Sequence, residues 1–446
     1  MERPVRSRSP ITAATSTVRP GSRLESVNSW LVCAFYVAYY LEISIVYNEV
    51  AVFPFFGCVC LALLILVFNR HRVQSADITA LGFIFLIYFS SAAVHYGDSE
   101  ELTRRLSSLA NGCLVLLLGY CWCLALTGLP STRIARMALG IAVFITAYAA
   151  LEQFELFRQL SNELRSWVYP RGVYDQDTRD IALYGAVRPK VFLREPSLVG
   201  INLGLALSVW LLVQRPVSLT RLAVTLAWLV GAVFVIRSPT LAIFAAICIY
   251  GFLNYSLPRR DLVNVIGISS VVAVFMLPGL SLVVSELFGG VFERITAGWS
   301  FYLRLIGPYK IAQAMLVENP LFGFGIGASQ VLLSEVQSTY ASLSAIAGMK
   351  DFDQSVSIRP ELFITNAFWH YWIVFGVASG LILLFAFSRL LRALYVKSPL
   401  FILVSFCLAS QTLGGITGIW ISFILFTYIS VDVVRGTQVA SRGCSF

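Results

Sequence analysis

Histidine is scarce in this 446-residue chain: only His71, His95 and His370 are present. A metal centre built on imidazole needs more ligands than that, so none is expected. Of nine cysteines, Cys33, Cys58, Cys60, Cys113, Cys121, Cys123, Cys248 and Cys407 lie in apolar runs, where they serve as small hydrophobes, and Cys444 lies in the C-terminal tail. Cys121-Trp122-Cys123 has no second ligand pair, which argues against zinc. The long polar segments contain no cysteine, so no disulfide is expected to hold them. Charge is sparse too, at 13% of residues against 58% hydrophobic, with a mean hydropathy of +0.77. That balance excludes an ordinary soluble domain and predicts an all-α, polytopic helical membrane protein.

Apolar stretches of spanning length fall at about 29–47, 50–68, 78–95, 107–127, 137–155, 196–213, 221–236, 239–255, 262–282, 364–387, 399–411 and 414–431. They predict about 12 transmembrane helices in a single domain over 29–435. Residues 1–28, with Arg3, Arg6, Arg8, Arg19 and Arg23 among Ser, Thr and Pro, are expected to form a disordered cytoplasmic tail, and 436–446 a second one. The apolar run from Trp30 is long and lacks a small-residue cleavage site, so it does not read as a signal peptide.

The net charge of +9 does not imply nucleic acid, because the positive residues sit in short loops beside apolar runs, with no basic face interleaved with aromatics. Arg70, Arg72, Arg133, Arg136, Arg215, Arg221, Arg259, Arg260, Arg389, Arg392 and Lys397 all fall on one side of the expected set of helices. By the positive-inside rule that side is cytoplasmic, which places two polar inserts, at about 159–195 and 283–362, on the outer face.

The first insert is dense in arginine, a side chain whose planar fork matches phosphate oxygens. It ends in RPKVFLREPSLVG, Arg188 to Gly200. There Arg194 and Glu195 stand at the mouth of an expected span, where a charged pair must face a cavity or a partner, and Pro196 suits the first turn of the helix. Arg237 lies in an expected outer turn and would add positive charge to an outer cavity, although an arginine that snorkels to the interface reads equally well. In the second insert, Arg304 precedes Glu318-Asn-Pro-Leu-Phe-Gly-Phe-Gly-Ile-Gly327, whose glycines suit tight turns and close backbone approach. No strand precedes them, so they are not a dinucleotide fingerprint. Asn366 and His370 follow, four residues apart and on one helix face.

Phe192-Leu-Arg-Glu-Pro-Ser197, the Arg304-to-Gly327 segment, and Thr365-Asn366 through Gly376 and Gly380, taken in this order, resemble the O-antigen polymerase and O-antigen ligase superfamily of bacterial inner membranes. The resemblance covers roughly half the chain, from about Arg188 to Gly380, and departs at Thr365, where the family carries histidine. It implies a metal-independent membrane glycosyltransferase without a cofactor. Such an enzyme polymerises undecaprenyl-diphosphate-linked oligosaccharide units at the periplasmic face, and a chain-length regulator is an implied partner. Arginines stabilise the leaving diphosphate in this reading, with Arg188, Arg194, Arg237, Arg304 and Asn366 as substrate-binding candidates. Glu195 or His370 takes the acceptor proton. A ligase that moves glycan onto lipid A core and a transporter or lipid-glycan flippase are the alternatives.

Overall fold

The computed structural model describes residues 23–47, 50–53, 55–93, 99–169, 177–287, 302–328, 331–347, 360–415 and 418–443. Residues 1–22 of the expected N-terminal tail, residues 288–301 and 348–359 of the second insert, and His95 and Cys444 lie outside them.

The helices are α1 Arg23–Tyr40, α2 Phe56–Asn69, α3 Ser75–Ala93, α4 Ser99–Thr127, α5 Ser131–Leu151, α6 Glu155–Val168, α7 Asp177–Tyr184, α8 Pro196–Leu212, α9 Leu219–Ile236, α10 Thr240–Ser256, α11 Arg260–Leu287, α12 Gly307–Glu318, α13 Leu333–Ala347, α14 Ala367–Ala393, α15 Pro399–Ala409 and α16 Ile419–Gly443. A helix overlaps each of the expected apolar stretches. Among the described residues six are long and apolar enough to cross a membrane, namely α3, α5, α9 and α14 with Glu101–Thr127 of α4 and Ile419–Thr437 of α16. Large apolar side chains point outward from the bundle, including Trp30, Leu63, Ile78, Phe89, Phe234 and Met276. A water-soluble protein would cover such a belt, whereas a bilayer solvates it. The chain is a helical membrane protein.

Four details depart from the expected boundaries. Helix α1 begins at Arg23, inside the segment read as a tail, and ends at Tyr40 instead of running to 47. The next residues form a short antiparallel hairpin, β1 Ile45–Tyr47 with β2 Val50–Phe53, in an otherwise helical chain. Both polar inserts carry helices of their own: α6 and α7 in the first, α12 and α13 in the second. Helix α16 continues to Gly443, through most of what was read as a C-terminal tail.

One end of the bundle is braced by polar contacts. Asn28 and Asn69 exchange side-chain amide bonds, Arg72 donates to the Leu124 carbonyl and to Thr127, and Arg133 pairs with Glu25. Asp432 accepts from Tyr255 Oη and from the backbone N–H of Lys397 and Ser398, while Arg435 donates to the Leu212 and Gln214 carbonyls. Free carbonyls and amides at helix ends need such partners. The short-loop arginines that the sequence put on one side belong to helix ends of this same set.

Helix α6 is amphipathic in reverse. Leu156, Leu160, Leu164 and Trp167 are exposed, Trp167 at 86%, whereas Ser161 and Arg165 on the opposite face are buried. An apolar outer stripe with a polar inner face is the arrangement of a helix lying in a membrane surface.

Candidate active site

The loop from Lys190 to Glu195, between α7 and α8, is held from several directions. Buried Glu152, capping the C-terminus of α5, accepts the backbone N–H of Lys190 at 2.6 Å and of Val191 at 2.9 Å. Tyr40, the last residue of α1, donates its hydroxyl to the Val191 carbonyl at 2.8 Å. From α6, Ser161 Oγ accepts the Phe192 N–H, and Arg165 Nε donates to the Leu193 carbonyl at 2.8 Å. Arg165 also reaches the Arg194 carbonyl at 3.3 Å, with its own side chain only 1% exposed. Val191 and Phe192 both take left-handed backbone, at φ 44° and 64°. A conformation that strained persists only where neighbours over-determine it. The outcome of this clamp is that Arg194 and Glu195 stand exposed beside each other at the start of α8. Glu195 is the residue before Pro196, and its Oε2 accepts from Ser197 Oγ at 3.1 Å.

Coupled to both by charge is Glu42, a residue that sequence reading did not single out. It follows α1 in left-handed backbone, φ 46°, and Trp420 Nε1 donates to its carboxylate at 2.7 Å. Burial pushes the Glu42 carboxyl above the usual carboxylate range. The Trp420 hydrogen bond and the Arg194 charge oppose that rise, and the Glu195 charge adds to it. Tyr169 is coupled to the same charges. Burial pushes its phenol up, the Glu42 charge adds to that, and Arg165 and Arg194 act against it. Its buried hydroxyl has no hydrogen-bond partner among the described residues.

A second group gathers Arg304, Asn366 and His370. Asn366 caps α14, its Oδ1 accepting from the N–H of Phe368 and Trp369. Its Nδ2 donates to the Arg304 carbonyl at 2.8 Å and to Gln411 Oε1 at 2.9 Å. Arg304 lies in a π-helical turn, Tyr302–Ile306, and donates to the Thr412 carbonyl at 3.1 Å. The segment from Ser410 to Trp420, joining α15 to α16, borders both groups. Thr412 takes Arg304, a β-carbon built on Gly415 would lie 3.9 Å from His370 Nδ1, and Trp420 holds Glu42.

The glycine motif is what breaks α14. At Gly376 the helix takes φ 63° and ψ −172°, which leaves carbonyls and amides without helical partners. Residues 320–325 supply them: Phe324 and Gly325 N–H donate to the Ile373 and Val374 carbonyls, while Val377 and Ala378 N–H donate to the Pro320 and Leu321 carbonyls. A side chain at Gly323 would meet the Ile373 and Val374 oxygens at 2.6 Å, so this crossing admits only glycine. The segment then passes Arg105, a fully buried arginine of α4 that pairs with Glu101 at 2.6 Å.

An apolar groove of about 470 Å³ runs along the bundle among α1, α5, α8 and α16, lined by Val32, Tyr36, Ile141, Ala206 and Phe423. Exposed Val37 and Phe144 stand at its rim. Its lining includes Tyr40 and Phe192, the latter only two residues from Arg194.

The remaining candidates are placed differently. Arg188 is engaged by buried Asp180, its Nε 2.9 Å from Oδ1, and Lys190 pairs with Asp177 at 2.9 Å. Arg237 ends α9 in left-handed backbone, partly exposed, near Gly185. Glu42, Tyr169 and Glu152 were missed as members of the site, their only sequence signal being polarity beside an apolar run; Arg165 was visible only as one of the arginines of the first insert. Comparison with family models, with curated proteins and with solved structures finds no match.

Proposed function

We propose that this chain crosses a bacterial inner membrane about 12 times and joins lipid-diphosphate-linked oligosaccharide units into a polysaccharide at the outer face. The observation that carries this reading is a continuity: Phe192 lines the apolar groove, and Arg194, two residues further along the same clamped loop, is exposed. A polyprenyl diphosphate has that shape, a long apolar tail with a compact anionic head. Arg194 would meet the diphosphate through its planar fork and stabilise the charge that develops as the glycosidic bond breaks. The acceptor hydroxyl loses its proton to a carboxylate of this site. Arg304 and Asn366 serve mainly to shape the second group, since their polar atoms already hold the start of α14 and the Ser410-to-Trp420 segment.

The test is reconstitution. Purified protein in nanodiscs, given lipid-diphosphate-linked repeat units, should yield a polymer ladder on a gel, and Arg194→Ala should abolish it while the protein stays folded. A silent wild-type protein, or a wild-type ladder from Arg194→Ala, overturns the reading. Transfer only onto a lipid A core acceptor would assign ligation instead.

A further inference from the structure

We propose that Glu42 is a second catalytic carboxylate of this site and the group that receives the acceptor's proton, a step that rests on the glycan-polymerising reading above. Three observations carry it. Glu42 lies two residues after Tyr40, whose hydroxyl is bonded to the loop that presents Arg194 and Glu195, and it feels the charges of both. Its carboxylate is aimed by the Trp420 indole at 2.7 Å, from left-handed backbone that neighbours must impose. The buried Tyr169 phenol feels the Glu42 charge, and its hydroxyl has no hydrogen-bond partner among the described residues. Glu195 by contrast is exposed, with one oxygen engaged by Ser197.

The groups facing Glu42 are Tyr39 from α1, Cys58 from α2, Tyr169 beyond α6, Arg194 and Glu195 from the loop, and Trp420 from α16. Among them only Arg194 is cationic, so it stabilises the ionised carboxylate, while burial and Glu195 favour the protonated one. A carboxylate raised in this way is a better match for a hydroxyl proton near neutral pH than an exposed one.

The step balances. The acceptor oxygen bonds to the anomeric carbon of the donor sugar as its proton passes to Glu42. The bond from that carbon to the diphosphate breaks, and its electron pair leaves on the diphosphate oxygen beside Arg194. Glu42 then returns the proton to solvent or to the released diphosphate.

Glu42→Gln keeps an acceptor for Trp420 but takes no proton. It should lower kcat by about 10²–10⁴-fold and leave KM for the lipid-linked unit nearly unchanged. If Glu42→Gln does not fold, Glu42→Asp carries the same test, since withdrawing the carboxylate by one methylene should cost about 10²-fold. A merely structural role would not move the pH profile, and this one should. Removing the negative charge in Glu195→Gln lowers the Glu42 pKa, so the acid limb of kcat/KM moves to lower pH. Infrared spectra give a readout without turnover: a protonated-carboxyl band should vanish in Glu42→Gln and titrate at lower pH in Glu195→Gln. A Glu42→Gln enzyme within about twofold of wild type, or an acid limb unmoved by Glu195→Gln, overturns the proposal and leaves polymerisation standing. No polymer from wild type overturns both, whatever the band does.

Discussion

At the scale of single residues, the site divides into side chains that hold and side chains that are presented. Glu152, Arg165, Asn366 and Arg304 spend their polar atoms on backbone groups of neighbouring segments. Arg194 and Glu195 stand exposed at the end of that scaffold. The two classes should fail differently. Arg194→Ala should remove activity and leave the thermal unfolding midpoint in detergent within about 1–2 °C of wild type, as for a surface change. Arg304→Ala, which deletes the bond to the Thr412 carbonyl, should cost about 1–3 kcal/mol of stability as well as activity. Unfolding curves on both variants decide it, and an equally unstable Arg194→Ala would mean that Arg194 too is scaffold. The sequence made Arg194, Glu195, Arg304 and Asn366 visible because each stands in or beside a compact local motif. Glu42 was invisible for the opposite reason: its aiming residue, Trp420, lies at the far end of the chain, and no local pattern announces such a pair.

At the scale of elements, most of the helical layout was legible, since a long apolar run has few other ways to satisfy its backbone in lipid. The short features were not. Helix α1 stops at Tyr40 although the apolar pattern continues, because Glu42 and the hairpin take over. The break in α14 was likewise hidden: Gly376 reads as an ordinary helical glycine until residues 320–325 are seen to fill the gap. Gly376→Ala should therefore be severe. It forces a side chain into φ 63°, ψ −172°, a cost of about 1–3 kcal/mol, and its β-carbon would fall 2.7 Å from the Leu321 carbonyl carbon. Gly231→Ala in α9 is the control, because nothing lies within 4 Å of the added carbon. Its stability should be equal to or slightly above wild type, as helix propensity favours alanine by about 1 kcal/mol. Detergent melting curves that rank the two equally would show that the crossing at Gly323 is not tight.

At the scale of the whole molecule, sidedness is the property on which the proposed chemistry depends. The arginine-rich helix ends and the clamped loop belong to opposite ends of the bundle, so a reagent confined to one side should discriminate them. In a cysteine-free background, Glu163→Cys on α6 should react with an impermeant thiol reagent in intact spheroplasts, and Arg259→Cys, between α10 and α11, only after lysis. Both positions are exposed in the structure, so access, not burial, sets the result. The reverse pattern would put the arginine-glutamate pair on the cytoplasmic face and remove external polymerisation.

The outward leucines and Trp167 of α6 have a consequence for the height of the reaction. A helix that floats at the lipid–water boundary takes its level from the bilayer, and α6, so placed, would pass that level to Arg194 through the bonds of Arg165 to the Leu193 and Arg194 carbonyls. A lipid-borne diphosphate takes its level from the same boundary, because its tail is dissolved and its head is not. Under the proposed function, protein and lipid-linked unit would thus be gauged against one plane. The reactive groups of that proposed reaction would come level with each other without the protein having to measure the length of the tail below.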